Sequence, residues 1–237
     1  MFVELHARSA FSFLEAAALP EELAERAAAL EQPALALLDR DGLYGAPRFY
    51  RAATRVGINP LVGAEVTLAE GGRLPLLVES PEGYQNLCRL LTKIKMRGQL
   101  LGELQPKARR ADMENAATLD EIAEHAVGLV CLTGGEDGPA ALALESGGAP
   151  AARALLDRLT GVFGRCNVYA ELQRHFRRAE EARNEWLRGA AATLGLPLLA
   201  TNAPRMAERG QRPLLDALTC IRHHTTLDRA GRLLADN

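Results

Sequence analysis

Seven short apolar runs, separated by polar stretches and mostly alternating with amphipathic helical patterns, constrain this chain more than any other feature. The runs cover residues 2–5, 34–38, 61–68, 74–78, 128–132, 167–172 and 197–201. An unbroken run such as 34–38 suits a strand covered on both faces, the environment of a parallel sheet. Helical spacing predicts helices over 20–30, 44–56, 82–97, 119–126, 149–163, 177–194 and 228–235. The alternation predicts a parallel α/β architecture, either a closed barrel or an open doubly wound sheet.

A chain of 237 residues can bury a large core, and no repeat or flexible linker divides it, so one domain over 1–237 is expected. Aromatic residues make up only 5%, which leaves the packing to Leu and Ala. The net charge of −2 gives no global attraction to nucleic acid or membrane, so any such affinity must come from a local patch. Cys88, Cys131, Cys166 and Cys220 show no CxxC spacing and read as reduced core residues of a cytoplasmic protein. The N-terminus lacks a signal-peptide pattern, and no apolar run reaches membrane-spanning length. Residues 98–118 lack periodicity and carry Lys107, Arg109 and Arg110, so they read as an exposed, mobile insertion. The abrupt end at Asn237 reads as a cut within a longer chain.

Polar residues collect where the strands end. His6 follows the first, Asp39 the second, Glu65 lies in the third, Glu171 ends the sixth, and Thr201 and Asn202 close the seventh. Charged groups at the carboxyl ends of parallel strands sit where α/β proteins build their sites. His, Asp and Glu from different strands can hold a divalent metal that activates water for hydrolysis. The competing reading pairs Glu65 and Glu171 with Arg8, Arg40, Arg73 and Arg205, in a salt-bridge network or a phosphate or carboxylate site. After the second strand, Asp41 reads as a helix cap, with Gly42 permitting the turn. His125 and His175 read as solvated, and the adjacent His223 and His224, which diverge at a helix end, as a surface or capping pair rather than metal ligands. The Gly134–Gly138 loop has an acidic pair and no Walker lysine, which argues against phosphate binding. The run Arg174-His-Phe-Arg-Arg178 reads as a solvated helix start rather than a nucleic-acid patch.

Several stretches together resemble the PHP (polymerase and histidinol phosphatase) domain found at the N-terminus of bacterial C-family DNA polymerases. Leu5-His-Ala-Arg-Ser-Ala-Phe-Ser12 is similar to the opening H-x-H-[ST]-x-[FY]-S motif. Leu37-Leu-Asp-Arg-Asp-Gly-Leu-Tyr-Gly45 is similar to T-D-H-x-x-L-[FY]-G, and Gly57-Ile-Asn-Pro-Leu-Val-Gly-Ala-Glu65 to G-I-K-P-I-x-G-x-E. Gly83-Tyr-Gln-Asn-Leu87, the segments at Gly128–Gly134 and Tyr169–Gln173, and Leu199-Ala-Thr-Asn202 also match family stretches. The run Arg222-His-His-Thr-Thr-Leu-Asp228 resembles the error-prone branch of the polymerase III α-subunit class.

The resemblance implies a distorted (β/α)7 barrel with mainly parallel strands, which in some family members holds metal ions and acts as a 3′–5′ exonuclease or phosphoesterase. His6, Asp39 and Glu65 match ligand positions. Arg8, Arg40, Arg73 and Arg205 stand where the family has His, Gly135 where a Cys is frequent, and Ala203 in place of an Asp. A guanidinium cannot deprotonate to bind a metal and repels one nearby. The expected product is therefore a degenerate domain with no nuclease activity and no cofactor. It would brace the palm and thumb of a polymerase in DNA replication or translesion synthesis, meet DNA through the parent chain, and contact translesion accessory proteins but no membrane. The alternative is a reduced phosphoesterase or exonuclease with Mn or Zn on His6, Asp39 and Glu65.

Overall fold

The computed structural model describes residues 2–102 and 116–234. Seven strands follow one another in the sheet in chain order: β1 (Glu4–Ala7), β2 (Ala34–Arg40), β3 (Asn59–Thr67), β4 (Arg73–Val78), β5 (Leu129–Leu132), β6 (Val168–Gln173) and β7 (Leu198–Thr201). Each expected apolar run is a strand, displaced at its ends by no more than two residues. The helices are α1 (Pro20–Ala29), α2 (Ala46–Val56), α3 (Pro81–Gly102), α4 (Leu119–Ala123), α5 (Pro139–Phe163), α6 (Arg178–Leu194), α7 (Arg212–Arg222) and α8 (Leu227–Ala230).

β1 pairs parallel with β2, and β5 with β6, but β4 runs antiparallel to both β3 and β5. The link between β3 and β4 is too short for the crossover that a parallel pair requires. Gly71 (φ 102°) and Gly72 (φ 86°) close it as a hairpin. The reversal matters for the chemistry. Arg73, first in β4, lies opposite Thr67 at the carboxyl end of β3.

The chain divides into two compact units. The first, Met1–Val62 with Thr201–Asn237, packs α1 against α2. Leu23, Ala24 and Ala27 meet Phe49, Ala52 and Ala53 over Leu35 and Leu37 of β2. The small alanines let the two helices approach closely, which is how a core so poor in aromatics fills.

The second unit is Gly63–Ala200. In α3, Leu87, Leu90, Leu91 and Ile94 are buried at helical spacing. The first turn of α3 lies directly on the approach to β5: Glu79 N–H donates to the Gly128 carbonyl at 2.9 Å, and Asn86 Nδ2 to the Val127 carbonyl at 3.0 Å. The Gly83-Tyr-Gln-Asn-Leu87 motif is thus a structural joint. α4 opens with a reciprocal cap, Thr118 Oγ1 accepting from Glu121 N–H while Glu121 Oε2 accepts from Thr118 N–H.

Several expectations need correction. α5 begins ten residues earlier than predicted and is two helical pieces joined at Gly148 (φ 66°), ahead of Pro150. Pro139, placed in its first turn after Gly138, was the readable signal. α7 was not predicted, although Leu214, Leu215, Leu218 and Ile221 carry helical spacing. Of segment 98–118, residues through Gly102 continue α3, and Ala116 and Ala117 are buried, Ala117 bridging to Leu68. Residues 103–115, with Lys107, Arg109 and Arg110, lie outside the described residues. Cys88 is partly buried, Cys131 and Cys220 are buried, but Cys166 is exposed rather than in the core. No helix among the described residues is long and apolar enough to cross a membrane.

Candidate functional site

In the first unit the organising group is the buried Asp39 carboxylate at the carboxyl end of β2. Oδ1 accepts from Ser9 N–H at 2.8 Å and from the Ser12 hydroxyl at 3.0 Å, and the Ser9 hydroxyl lies 2.9 Å from both oxygens. Ser12 Oγ in turn accepts from Arg40 N–H at 3.0 Å. Gly45 completes the arrangement, because a Cβ there would stand 2.5 Å from Asp39 Oδ2. Gly45, not Asp41, caps α2, and Asp41 itself takes the left-handed conformation (φ 47°) that the turn needs. The Tyr44 ring lies over Gly42, where a Cβ would displace it.

Next to this carboxylate lies a second one that the sequence reading missed. Glu15 is 3% exposed. Its Oε1 lies 2.7 Å from Arg40 Nη1 and 3.1 Å from Arg222 Nη2, and its Oε2 lies 3.9 Å from Arg8 Nη1. Arg8, itself buried, directly follows β1, in which Glu4 and His6 are buried. Glu4 is also buried; its carboxylate accepts from His6 N–H at 2.8 Å and from Asn202 N–H at 2.7 Å. The strand period could have revealed Glu4, two residues before His6. Glu15, in an irregular turn, carried no such signal. Arg205 enters through its backbone, its carbonyl accepting from Ala17 and Ala18 N–H.

In the second unit Glu65 is 1% exposed, diagonal across the hairpin from Arg73. Arg73 Nη1 lies 3.9 Å from Glu65 Oε2 and 3.6 Å from Asp137 Oδ2, and Arg73 N–H donates to the Asp137 carbonyl. Buried Glu171 accepts from Gln173 Nε2 at 2.8 Å, and its N–H donates to Thr133 Oγ1 at 2.9 Å. The Gln173 amide occupies the space a side chain at Gly135 would need. Burial, with the Glu171 carboxylate as second cause, pushes the Cys131 thiol well above its ordinary value, so it is not a ready nucleophile.

His223 and His224 are exposed, and His125 Nδ1 lies 2.8 Å from the Glu121 carbonyl at the end of α4. His175 is not a solvated residue: its Nδ1 lies 2.7 Å from Oε1 of buried Glu180. Burial raises the Glu180 pKa. The bonds from the His175 ring and from the Arg177 and His175 N–H groups outweigh burial and hold it below the ordinary 4.5. A carboxylate with a depressed folded pKa contributes stability above its unfolded pKa and loses it as pH falls through the folded one. Glu180→Gln is therefore expected to lower Tm at neutral pH, with the gap from wild type closing as pH drops from about 4.5. Thermal unfolding as a function of pH checks this; a gap that stays constant down to acid pH refutes the assignment.

A model of the PHP domain matches residues 4–175. The chain belongs to the PHP family. Among curated relatives, a protein of Anaeromyxobacter sp. named error-prone DNA polymerase is 40% identical over 241 residues, covering 100% of this chain and 20% of that protein. One of the same name from Mycobacterium tuberculosis is 37% identical over 245 residues, covering 99% and 21% respectively. This PHP domain thus spans about a fifth of the length of the curated relatives it matches. Among solved structures, an amidohydrolase from Chromobacterium violaceum with bound sulfate and no metal superposes with a TM-score of 0.60 at 16% identity, covering 91% of this chain and 96% of that one. A putative metal-dependent phosphoesterase from Bifidobacterium adolescentis gives 0.58 at 14% identity, covering 88% of each. Those likenesses concern the fold, which is the expected α/β PHP barrel class with mainly parallel strands.

Asp39 already accepts from Ser9 and Ser12, and Glu65 faces the permanent cation of Arg73. Among the described residues, no group of three or more His, Cys, Asp or Glu side chains is placed to hold a metal ion.

Proposed function

We propose that this PHP domain is the structural and interaction module of an error-prone, polymerase III α-type chain, without nuclease activity of its own. The observation that carries this reading is Glu15, a buried carboxylate holding Arg40 and Arg222 with Arg8 at 3.9 Å. Arg8 and Arg40 occupy positions where the family resemblance expects neutral metal ligands. A cation a few ångströms from a divalent ion opposes its binding, strongly so where water is excluded. Relatives named error-prone DNA polymerase, most of whose length lies outside the match, support assigning the chain to such a polymerase. In that setting the domain acts in replication or translesion synthesis in the cytoplasm, braces the palm and thumb, and meets DNA and accessory proteins through the parent chain.

The test is elemental analysis of protein expressed with added Mn and Zn, paired with a 3′-exonuclease assay. Metal far below stoichiometry and no nucleotide release are expected. Stoichiometric metal, with exonuclease activity lost in His6→Ala and Asp39→Ala, would instead establish the reduced metal-dependent hydrolase.

A further inference from the structure

The turn after β6 displays an aromatic ring in a way that its sequence does not announce. Phe176 is 86% exposed and sits at φ 63°, in the left-handed region that bulky side chains avoid. The conformation is fixed from both sides. Oε2 of buried Glu180 accepts from His175 N–H at 2.7 Å and from Arg177 N–H at 3.1 Å, while Oε1 meets the His175 ring. The ring therefore projects from a rigid base.

Arginines flank it in the chain, two of them paired with carboxylates. The Arg174 guanidinium carbon lies 5.5 Å from the Phe176 ring centroid. Arg174 also pairs with Glu181 through a largely solvated contact that can be exchanged at small cost, while the partly buried Arg177 pairs with Glu136. Arg178 is exposed and makes no ion pair among the described residues. A preorganised aromatic face flanked by guanidinium groups has the chemistry that grips a single nucleic-acid strand, with a base stacking on the ring and phosphates taken by arginine.

We infer that turn 174–178 is a contact for single-stranded nucleic acid, with Phe176 as the stacking platform and Arg174 and Arg178 as phosphate ligands. Phosphate is the complement of Arg178, which has no ion-pair partner among the described residues, and of Arg174 once it exchanges its solvated Glu181 partner, whereas a purely apolar protein pocket would leave Arg178 unsatisfied. The inference is independent of whether the domain holds a metal.

Fluorescence anisotropy with a labelled oligothymidylate tests it on the 237-residue chain. Wild type is expected to bind at low salt, and Phe176→Ala to bind about ten-fold more weakly with unchanged Tm. Arg178→Gln should reduce the dependence of log affinity on log salt by about 0.7, the release expected for one single-strand phosphate contact. Tyr50→Ala, which removes an exposed ring on α2, should leave binding unchanged. If wild type fails to bind, the inference is overturned and the ring is left for a protein surface. If Phe176→Ala binds as wild type does, the strand contacts lie elsewhere and the inference is equally overturned.

Discussion

Glu15→Ala is expected to destabilise the domain by about 3–5 kcal/mol, because it removes a partner from charges that are already out of water. Arg8 has only 2% of its side chain exposed, and the Glu15 carboxylate 1%. Truncating the acid leaves the desolvation cost of Arg8 in place while deleting part of what offsets it. Arg40 and Arg222 keep 24% and 36% of their side chains in water, so they lose less. Arg222→Ala should accordingly be milder than Glu15→Ala. Chemical denaturation of both variants, beside Glu25→Ala in the exposed pair with Arg55, measures the ranking. A Glu15 variant no less stable than the Glu25 one would mean that the three arginines do not depend on this carboxylate.

The second large effect belongs to a residue with no side chain. Gly83→Ala is expected to cost about 3 kcal/mol, at the upper end of ordinary overpacking. Its Cβ would be driven into the Gly128 carbonyl, and Gly128 is backbone at φ 74° with no rotamer to yield. Moving it would also break the bond from Glu79 N–H to the Gly128 carbonyl. Gly189→Ala is the control: nothing lies within 4 Å of its Cβ, and in the interior of α6 the change should stabilise by up to about 1 kcal/mol. Equal thermal unfolding of the Gly83 variant and wild type would show that the α3–β5 joint opens without cost.

These two positions differ in how they could be read. Gly83 belongs to a motif that flagged it as special, although its reason, a carbonyl lying against its α-carbon, appears only when β5 is in place. Gly45 is similar: the motif marked it, and the Asp39 carboxylate explains it. Glu15 had no marker. It lies in a turn with neither strand nor helix period, where an acidic residue ordinarily faces water.

By itself the sequence determined the order of the seven strands and of most of the helices between them, though α7 and the first half of α5 escaped it. Strand and helix periods are local properties, and seven apolar runs in succession left few architectures open. Family membership was legible for a related reason, since its motifs are contiguous stretches. Tertiary structure decided which charges meet. Arg40 and Arg222 are far apart in the chain, yet both reach Glu15; Arg73 reaches Glu65 because β4 turns back along β3. It also decided the pose of Phe176, whose backbone is set by the buried Glu180 carboxylate rather than by its own preference. Electrostatic partnership depends on distance in space and on the exclusion of water, and neither exists along an unfolded chain.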